Sequence, residues 1–250
     1  MTPRTRARPA VRRVVSLVPS LTEAVAATAP ELLVGATDWC EHPADLDVVR
    51  VRGTKNPDVA RIVALAPDLV IANEEENRAP DLGALRAAGL DVLVTEVRTL
   101  GQAFAELERV LVRGCRLARP AWLDDARDAW RDVRADAPPV RAVVPVWRRP
   151  WMVLGRDTFA GDVLARLGVL NVHAGHAERY PRIPLEELNS CGAELVVLPD
   201  EPYRFGADDG PESFPGLPSA LVSGRHLTWY GPSLAQAPTV LGAALRAAGR

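Results

Sequence analysis

A helical pattern that leads into a short buried run occurs twice in this chain, and it limits the fold more than any other feature. In the first copy, 59–71, apolar residues recur at every third position and lead into Leu69-Val70-Ile71. In the second copy, 185–197, the same spacing leads into Leu195-Val196-Val197. The offset between the copies is constant at 126 residues (194 − 68). A helix followed by a strand in each copy predicts two similar α/β lobes.

The rest of the chain continues this alternation of short apolar runs and helical periodicity, which is typical of βαβ units with a parallel sheet. We predict strands at 14–18, 32–36, 69–72, 92–94, 140–146 and 195–198, and helices at 59–65, 81–88 and 159–167. Gly89 and Gly168 follow the last two helices, where glycine commonly ends a helix. Ser20 is predicted to cap a helix through Ala26, with Glu23 as its capping-box partner.

The segment between the two blocks has a different texture. Residues 100–137 carry apolar side chains at three- and four-residue spacing, which predicts an amphipathic helix with one break, at Arg119-Pro120. A helical connector is stiffer than a flexible linker, and we expect a ligand cleft between the lobes that it joins. The predicted division is therefore an N-terminal α/β lobe at 1–98, a helical connector at 99–138 and a C-terminal α/β lobe at 139–250.

Composition limits the function classes. A formal charge of −2 over 250 residues lacks the basic footprint of a nucleic-acid-binding protein. No apolar run approaches the roughly 20 residues that a transmembrane helix needs. The basic N-terminal residues are followed neither by the apolar core of a signal peptide nor by a cysteine that could carry a lipid, so we predict a cytoplasmic protein. A start codon farther upstream would instead place the protein outside the cytoplasm.

Catalytic and metal-binding signatures are scarce. The chain has no GxSxG, P-loop or GxGxxG motif, and Ser20 has no histidine nearby in the sequence, although a distant histidine could approach it in space. Cys40 with His42, and His173 with His176, each offer two ligands where a zinc site generally needs three or four. We therefore predict no enzyme activity, no dedicated metal site and no intrinsic cofactor.

Several stretches resemble one known family. They are Arg13-Val14-Val15-Ser16-Leu17-Val18-Pro19-Ser20, Val34-Gly35-Ala36-Thr37-Asp38-Trp39, Arg61-Ile62-Val63-Ala64-Leu65-Ala66-Pro67-Asp68, Trp147-Arg148-Arg149-Pro150-Trp151 and Trp229-Tyr230-Gly231-Pro232. They look like the helical-backbone metal-receptor proteins, the cobalamin- and siderophore-binding components of ABC importers. The resemblance implies an α/β fold of the class III periplasmic-binding-protein type, with two Rossmann-like lobes, parallel sheets and a long bridging α-helix. It also implies a monomer that binds cobalamin, haem or a ferric siderophore between the lobes.

By this resemblance, the ligand contacts loops that follow the strands. Indole and phenol rings suit the broad apolar faces of such a chelate, and their polar tips can orient its rim. Trp122 and Trp130 lie on the connector and are predicted to pack there. The predicted ligand-binding residues are Ser20, Trp39, Cys40, Asn73, Glu74, Trp147, Trp151, Trp229 and Tyr230.

The resemblance further implies an ABC permease as partner, which receptors of this family contact with one acidic residue per lobe. Glu186 matches the position in the second lobe. The first-lobe position falls near Ala79, so Asp81 or Glu76 would have to substitute for the carboxylate there. Two other hypotheses remain open at this point: an enzyme on a two-lobed Rossmann-like fold, and an intracellular sensor or storage module that works without a permease.

Overall fold

The computed structural model describes residues 10–134 and 138–249. They form two compact units. The first holds the chain up to Glu96 together with Glu106–Pro120, and the second holds Val97–Ala105 together with the chain from Ala121 onward. The division at 98 and 138 stays a prediction, and residues 135–137 at the end of the predicted connector lie outside the described residues.

A five-stranded parallel sheet forms the centre of the first unit. Its strands, in chain order, are β1 (Val14–Ser16), β2 (Leu33–Ala36), β3 (Val49–Arg50), β6 (Leu69–Asn73) and β7 (Val92–Thr95), and β4 (Arg52–Gly53) pairs separately with β5 (Asn56–Pro57). The spatial order is β3-β2-β1-β6-β7. The helices are α1 (Pro19–Ala26), α2 (Val59–Ala64) and α3 (Ala79–Ala87), with a 3₁₀ turn at Pro30–Leu32.

The core of the first unit explains why its central strands are apolar throughout. All five residues of β6 are buried, as expected for a parallel strand that is covered on both faces. Ile62 of α2 and Leu85 of α3 pack with Val15 and Val70 in one buried cluster. Since every strand of the sheet runs in the same direction, all their carboxyl ends lie along one edge.

The predicted connector helix is shorter and less regular than expected. Helix α4 (Leu100–Glu108) continues as a π-helix over Arg109–Gly114, and the chain then leaves helical structure until α5 (Ala121–Arg131). The break thus begins at Cys115, ahead of the predicted Arg119-Pro120. Arg116 adopts a left-handed conformation, with φ of 60°, which an α-helix does not accommodate.

The second unit is built on a four-stranded parallel sheet in the order β11-β8-β12-β13. Its strands are β8 (Val140–Val143), β11 (Val169–Asn171), β12 (Leu195–Pro199) and β13 (Ser219–Val222), and β9 (Pro145–Trp147) pairs separately with β10 (Met152–Val153). The remaining helices are α6 (Phe159–Arg166), α7 (Leu185–Ser190), α8 (Gly224–Thr228) and α9 (Ala237–Ala247), with 3₁₀ turns at Pro211–Ser213 and Pro232–Ala235. No helix in the described part of the chain is long and apolar enough to cross a membrane.

The sequence repeat corresponds to a repeat of structure. Helices α2 and α7 begin 126 residues apart (185 − 59), and the bounds of β6 and β12 have the same offset. A residue in left-handed conformation follows each helix, and these two residues have the same offset: Ala66 has φ of 44° and Gly192 has φ of 73°. The predicted α/β class with two lobes and parallel sheets is therefore confirmed.

Two local predictions are wrong. Ser20 does not cap α1, because the helix already begins at Pro19 with Val18 as its N-cap, and proline at the first helical position suits that start. The predicted strand 140–146 is two strands in different sheets. Pro145 has no N–H with which to extend the parallel ladder, so β9 turns away and pairs with β10 instead.

Candidate functional site

The carboxyl edge of the first sheet is formed by the loops after β1, β2 and β6 together with the β4–β5 hairpin. In open α/β sheets, ligands bind at the carboxyl ends of the strands. Hydrogen bonds join these loops: the Asp38 amide donates to the Arg52 carbonyl oxygen (2.9 Å), and Asn77 Nδ2 donates to the Thr54 carbonyl oxygen (2.9 Å). Lys55 Nζ donates to the Glu75 carbonyl oxygen. The hairpin therefore fixes the positions of two neighbouring loops.

Trp39 is the most exposed aromatic side chain of this edge, with 63% of its surface accessible. The Nε1 atom of its ring lies close to the hairpin at Gly53, where an added Cβ would stand 3.1 Å from Trp39 Nε1 and 2.6 Å from Asn56 Oδ1. The absence of a side chain at Gly53 thus allows the indole to lie close to the hairpin. One broad apolar surface is left open to solvent.

Two predicted ligand-binding residues of this edge are buried. Cys40 Sγ accepts a hydrogen bond from Thr22 Oγ1 (3.0 Å) and lies 3.2 Å from Thr37 Oγ1, and burial raises the pKa of the thiol. Ser20 is 4% exposed within the first turn of α1. Because they are buried, Cys40 and Ser20 support the shape of the loops and offer no open contact surface.

The acidic turn after β6 is organised by Asn73. Its Nδ2 donates to the Thr95 carbonyl oxygen (3.1 Å), and its Oδ1 accepts the amide of Glu75 (2.9 Å), as asparagine commonly does in turns. Asn73 is itself buried, whereas Glu74 is exposed. Burial raises the pKa of the Glu76 carboxyl, while the positive charge of Lys55 acts in the opposite direction.

The carboxyl edge of the second sheet carries an aromatic cluster. Trp147 is 42% exposed and meets Tyr203 edge to face at 5.7 Å. Trp151 is half-buried, since its ring stacks on Phe205 at 6.0 Å and meets Phe214 edge to face at 5.3 Å. Trp147 therefore offers a contact surface, while Trp151 mainly anchors the β9–β10 hairpin in the core.

Arg148 ties this hairpin to the loop after β12. Its guanidinium pairs with Asp209 and with Glu212 Oε1 (2.5 Å), and it lies 5.4 Å from the centre of the Trp151 ring. Tyr203 Oη donates to Asp209 Oδ2 (2.6 Å), which raises the pKa of that phenol. The amide of Gly210, together with Arg148, lowers the pKa of Glu212. The charge of Arg148 is thus neutralised within the cluster.

Trp229 and Tyr230 lie after helix α8, which follows β13. Trp229 Nε1 donates to Glu201 Oε2 (2.9 Å), and this bond joins the loops after β12 and β13. Tyr230 is 8% exposed and meets Phe159 edge to face at 5.7 Å. Trp229 is half-buried and reaches the surface in part, whereas Tyr230 is a packing residue in this structure.

The second unit also has an opening that the sequence did not predict. It has a volume of about 540 Å³ and is lined by Met152, His176, Glu178, Tyr180, Pro181 and Arg182. Most of these residues belong to the segment 172–184, which follows β11 at the carboxyl edge. The length of that segment without helical or strand periodicity, together with an aromatic residue in it, is the signal that could have identified it.

The predicted docking carboxylate Glu186 is exposed in the first turn of α7. At the corresponding first-unit position, Ala79 begins α3, and Asp81 forms an ion pair with Arg78 (2.9 Å). Among the described residues, no group of three or more histidine, cysteine, aspartate or glutamate side chains could hold a metal ion.

Comparison with known proteins identifies the family. The family model described as periplasmic binding protein matches residues 14–208. The vitamin B12-binding protein of Vibrio cholerae serotype O1 is 26% identical over 196 residues, which cover 75% of this chain and 71% of the relative.

Solved structures show the same fold. The periplasmic vitamin B12 binding protein BtuF of Vibrio cholerae superposes with a TM-score of 0.74 at 19% identity, covering 96% of this chain and 98% of that one. The periplasmic heme-binding protein BhuT, solved with two hemes, gives a TM-score of 0.79 at 22% identity, covering 94% and 98%.

These findings overturn the predicted cytoplasmic location, which is wrong because the matched family and the similar proteins are periplasmic. Basic N-terminal residues without a following apolar core do not by themselves determine the compartment of a protein. The family is one of solute-binding proteins and not of enzymes. With a match over most of its length, the chain belongs to the periplasmic binding protein family.

Proposed function

We propose that this protein is the solute-binding component of an ABC importer and that it captures a metal chelate, with cobalamin as the first candidate. The observation that carries the proposal is the match to vitamin B12-binding proteins over three quarters of the chain. The two carboxyl edges add chemistry of the right kind, since each exposes an indole: Trp39 in the first unit and Trp147 in the second.

The exposed groups suit a corrin. Its ring offers apolar faces, and an indole gives a large contact area while losing few side-chain rotations. Its rim carries amides, whose N–H groups need acceptors when water is displaced. The exposed carboxylate of Glu74 can accept such bonds. We therefore assign direct ligand contact to Trp39, Glu74 and Trp147.

The remaining predicted site residues divide by burial. Trp151 and Trp229 are half-buried, and each orients a loop of the second unit while exposing part of its ring. Ser20, Cys40, Asn73 and Tyr230 shape the edges from beneath and contribute through the positions of the loops that they hold. Tyr180 and Arg182, which line the opening beside Met152, are added to the proposed ligand-binding residues.

We assign docking on an ABC permease to the exposed Glu186. In the first unit the two proposed substitutes are less accessible, because Asp81 is paired with Arg78 and Glu76 is half-buried. The second unit would therefore dock through the exposed Glu186. Among the described residues, neither proposed substitute in the first unit is a fully exposed acid. The protein acts by stoichiometric binding without turnover.

The test is a titration of the purified protein with cyanocobalamin, haemin and ferric siderophores, followed by tryptophan fluorescence and visible absorbance. Saturable quenching at one equivalent is expected for one ligand, and the ligand should be recovered chemically unchanged. Trp39→Ala should weaken binding by about 1–3 kcal/mol, as loss of a stacked aromatic contact does. Trp122→Ala removes a tryptophan of helix α5 and serves as the matched control. A flat response across the panel would refute the proposal.

A further inference from the structure

We propose that Lys55 sets the ligand specificity of the first unit by pairing with an anionic oxygen group, a phosphodiester or a carboxylate, on the rim of the chelate. This inference rests on the proposed function and concerns the same edge of the first sheet. It identifies a residue that sequence reasoning passed over, although Lys55 is the only lysine of the chain.

The first observation is that Lys55 differs from the other cations of these loops. Arg50 is half-buried and donates to the carbonyl oxygens of Thr37 (3.1 Å) and Cys40 (2.8 Å). Arg52 lies 3.7 Å from Asp58, and Arg78 lies 2.9 Å from Asp81. Each therefore has a partner within the protein.

Lys55 is exposed, and its ammonium donates to a carbonyl oxygen, that of Glu75, rather than to a carboxylate. An ammonium group has three N–H donors, so one bond to a carbonyl leaves further donors for a ligand. These donors can contact an anionic oxygen that comes to this edge.

The second observation is that Trp39 and Lys55 lie at the same hairpin, so one could contact the face of a chelate and the other its rim. Gly53 lies beside Nε1 of the Trp39 indole, and Lys55 is two residues farther along, at the hairpin tip. A planar chelate that stacks on the exposed ring would bring its rim near the hairpin tip. The ammonium is thus placed to contact rim substituents while the indole contacts the face.

The third observation is the charge around the ammonium. Glu74, Glu75 and Glu76 follow β6 in succession, and the backbone of Glu75 holds Lys55. Three carboxylates at this edge repel an approaching anion unless a cation intervenes. Lys55 therefore decides whether the edge accepts or rejects a ligand with an anionic rim group.

Lys55 could instead have a purely structural role, in which it only ties the hairpin to the acidic turn. Its replacement would then affect both members of a ligand pair equally. Lys55→Gln removes the charge but keeps an N–H donor for the Glu75 carbonyl oxygen, so the tie between the loops is retained. Lys55→Arg keeps both. Arg52→Gln is the matched control, because it removes one positive charge from the same hairpin at a residue that pairs with Asp58.

The experiment measures the dissociation constants of two ligand pairs for each variant by fluorescence titration at low salt. Cyanocobalamin and cobinamide differ by the phosphodiester and its nucleotide, and haemin and its dimethyl ester differ by their carboxylates. We expect Lys55→Gln to bind the anionic member of the bound pair about 3- to 10-fold more weakly and the other member unchanged. Lys55→Arg should restore the affinity, and the difference should shrink in 0.5 M salt.

Equal weakening for both members of a pair would overturn the proposal in favour of the structural role. No change for either member, or an equal change in Arg52→Gln, would overturn it as well. Failure of the wild-type protein to bind these four ligands and the ferric siderophores of the earlier titration would instead refute the proposed function on which this inference rests.

Discussion

Replacement of Gly155 by alanine tests how the segment 172–184 is held. Gly155 follows Leu154 beside β10, and its amide donates to the Arg179 carbonyl oxygen (2.7 Å). A Cβ at this position would lie 2.1 Å from the Glu178 carbonyl oxygen and 2.9 Å from Pro181 Cδ. Carbon–oxygen contacts lie above about 3 Å, so the segment would have to move by about 1 Å.

The expected cost follows from those contacts. Overpacking against main-chain atoms costs about 1–3 kcal/mol, and a strained or lost hydrogen bond adds about 1 kcal/mol. Gly155→Ala should therefore lower the free energy of unfolding by about 2–4 kcal/mol. The control is Gly83→Ala in α3, where an added Cβ meets no atom within 4 Å. There alanine should stabilise the helix by about 0.5–1 kcal/mol.

The assay is urea unfolding followed by circular dichroism, with ligand titration of the same samples. Since Glu178, Tyr180 and Arg182 line the opening of the second unit, displacement of their segment should also weaken ligand binding in Gly155→Ala. Equal stability of the two variants would show that the segment adapts freely. That result would refute the argument that Gly155 fixes the wall of the opening.

Three further predictions follow from the contacts of the second unit and the thiols. Trp151→Ala should destabilise the protein by about 3–5 kcal/mol in urea unfolding, because the ring packs on Phe205 and Phe214, whereas Trp147→Ala should cost about 1 kcal/mol or less. The pKa of Glu212 is lowered in the folded state. The ionised carboxylate should therefore stabilise the protein fully above pH 4.5, its usual pKa, and this effect should be lost as the pH falls through the folded pKa. Urea midpoints of wild type and Glu212→Gln should accordingly converge in acid. Burial raises the pKa of the Cys40 thiol, and it raises the pKa of Cys115 to about 12. A thiol reagent at pH 8 should therefore label the half-exposed Cys191 in the native protein and the other two only after unfolding.

The parts of the fold that could be predicted from sequence are those in which local pattern and burial agree. Strands β6 and β12 are buried in every residue, and a strand covered on both faces has to be apolar throughout. Gly89 and Gly168, predicted to end helices, have φ of 84° and 75°, which glycine adopts without strain. At these positions the burial of the strand or the φ angle of the glycine restricts the residue type directly, whatever the rest of the chain does.

The short hairpins could not be predicted in the same way. Strands β4, β5 and β10 contain two residues each, too few to show the alternation that marks a strand. Yet the β4–β5 hairpin positions both Trp39 and Lys55. The role of Lys55 depends on which groups surround it in space, and no spacing along the chain contains that information.

The burial of predicted site residues was equally beyond sequence reasoning. Cys40 and Trp39 are adjacent, but the thiol points into a pocket made by Thr22 and Thr37 while the indole is exposed. Trp229 and Tyr230 also differ, since Tyr230 packs on Phe159, far away along the chain. Residue type predicted which loops carry candidate contact residues, whereas the choice between an exposed and a packed side chain depends on tertiary partners.

The helices and strands of the two units repeat, whereas the loops at their carboxyl edges differ. This difference suggests that the repeated elements determine stability and the loops determine ligand specificity. Ile62 and Leu188 stand at the same offset of 126 residues (188 − 62) and are both fully buried, so the duplicated positions carry the packing of the two units. The loops at the carboxyl edges do not share this likeness. The first edge combines three glutamates with the ammonium of Lys55, whereas the second presents aromatic rings around an arginine that Asp209 and Glu212 neutralise. Substitutions in the repeated elements should therefore change the free energy of unfolding with little effect on ligand preference, and those at the edges should do the reverse.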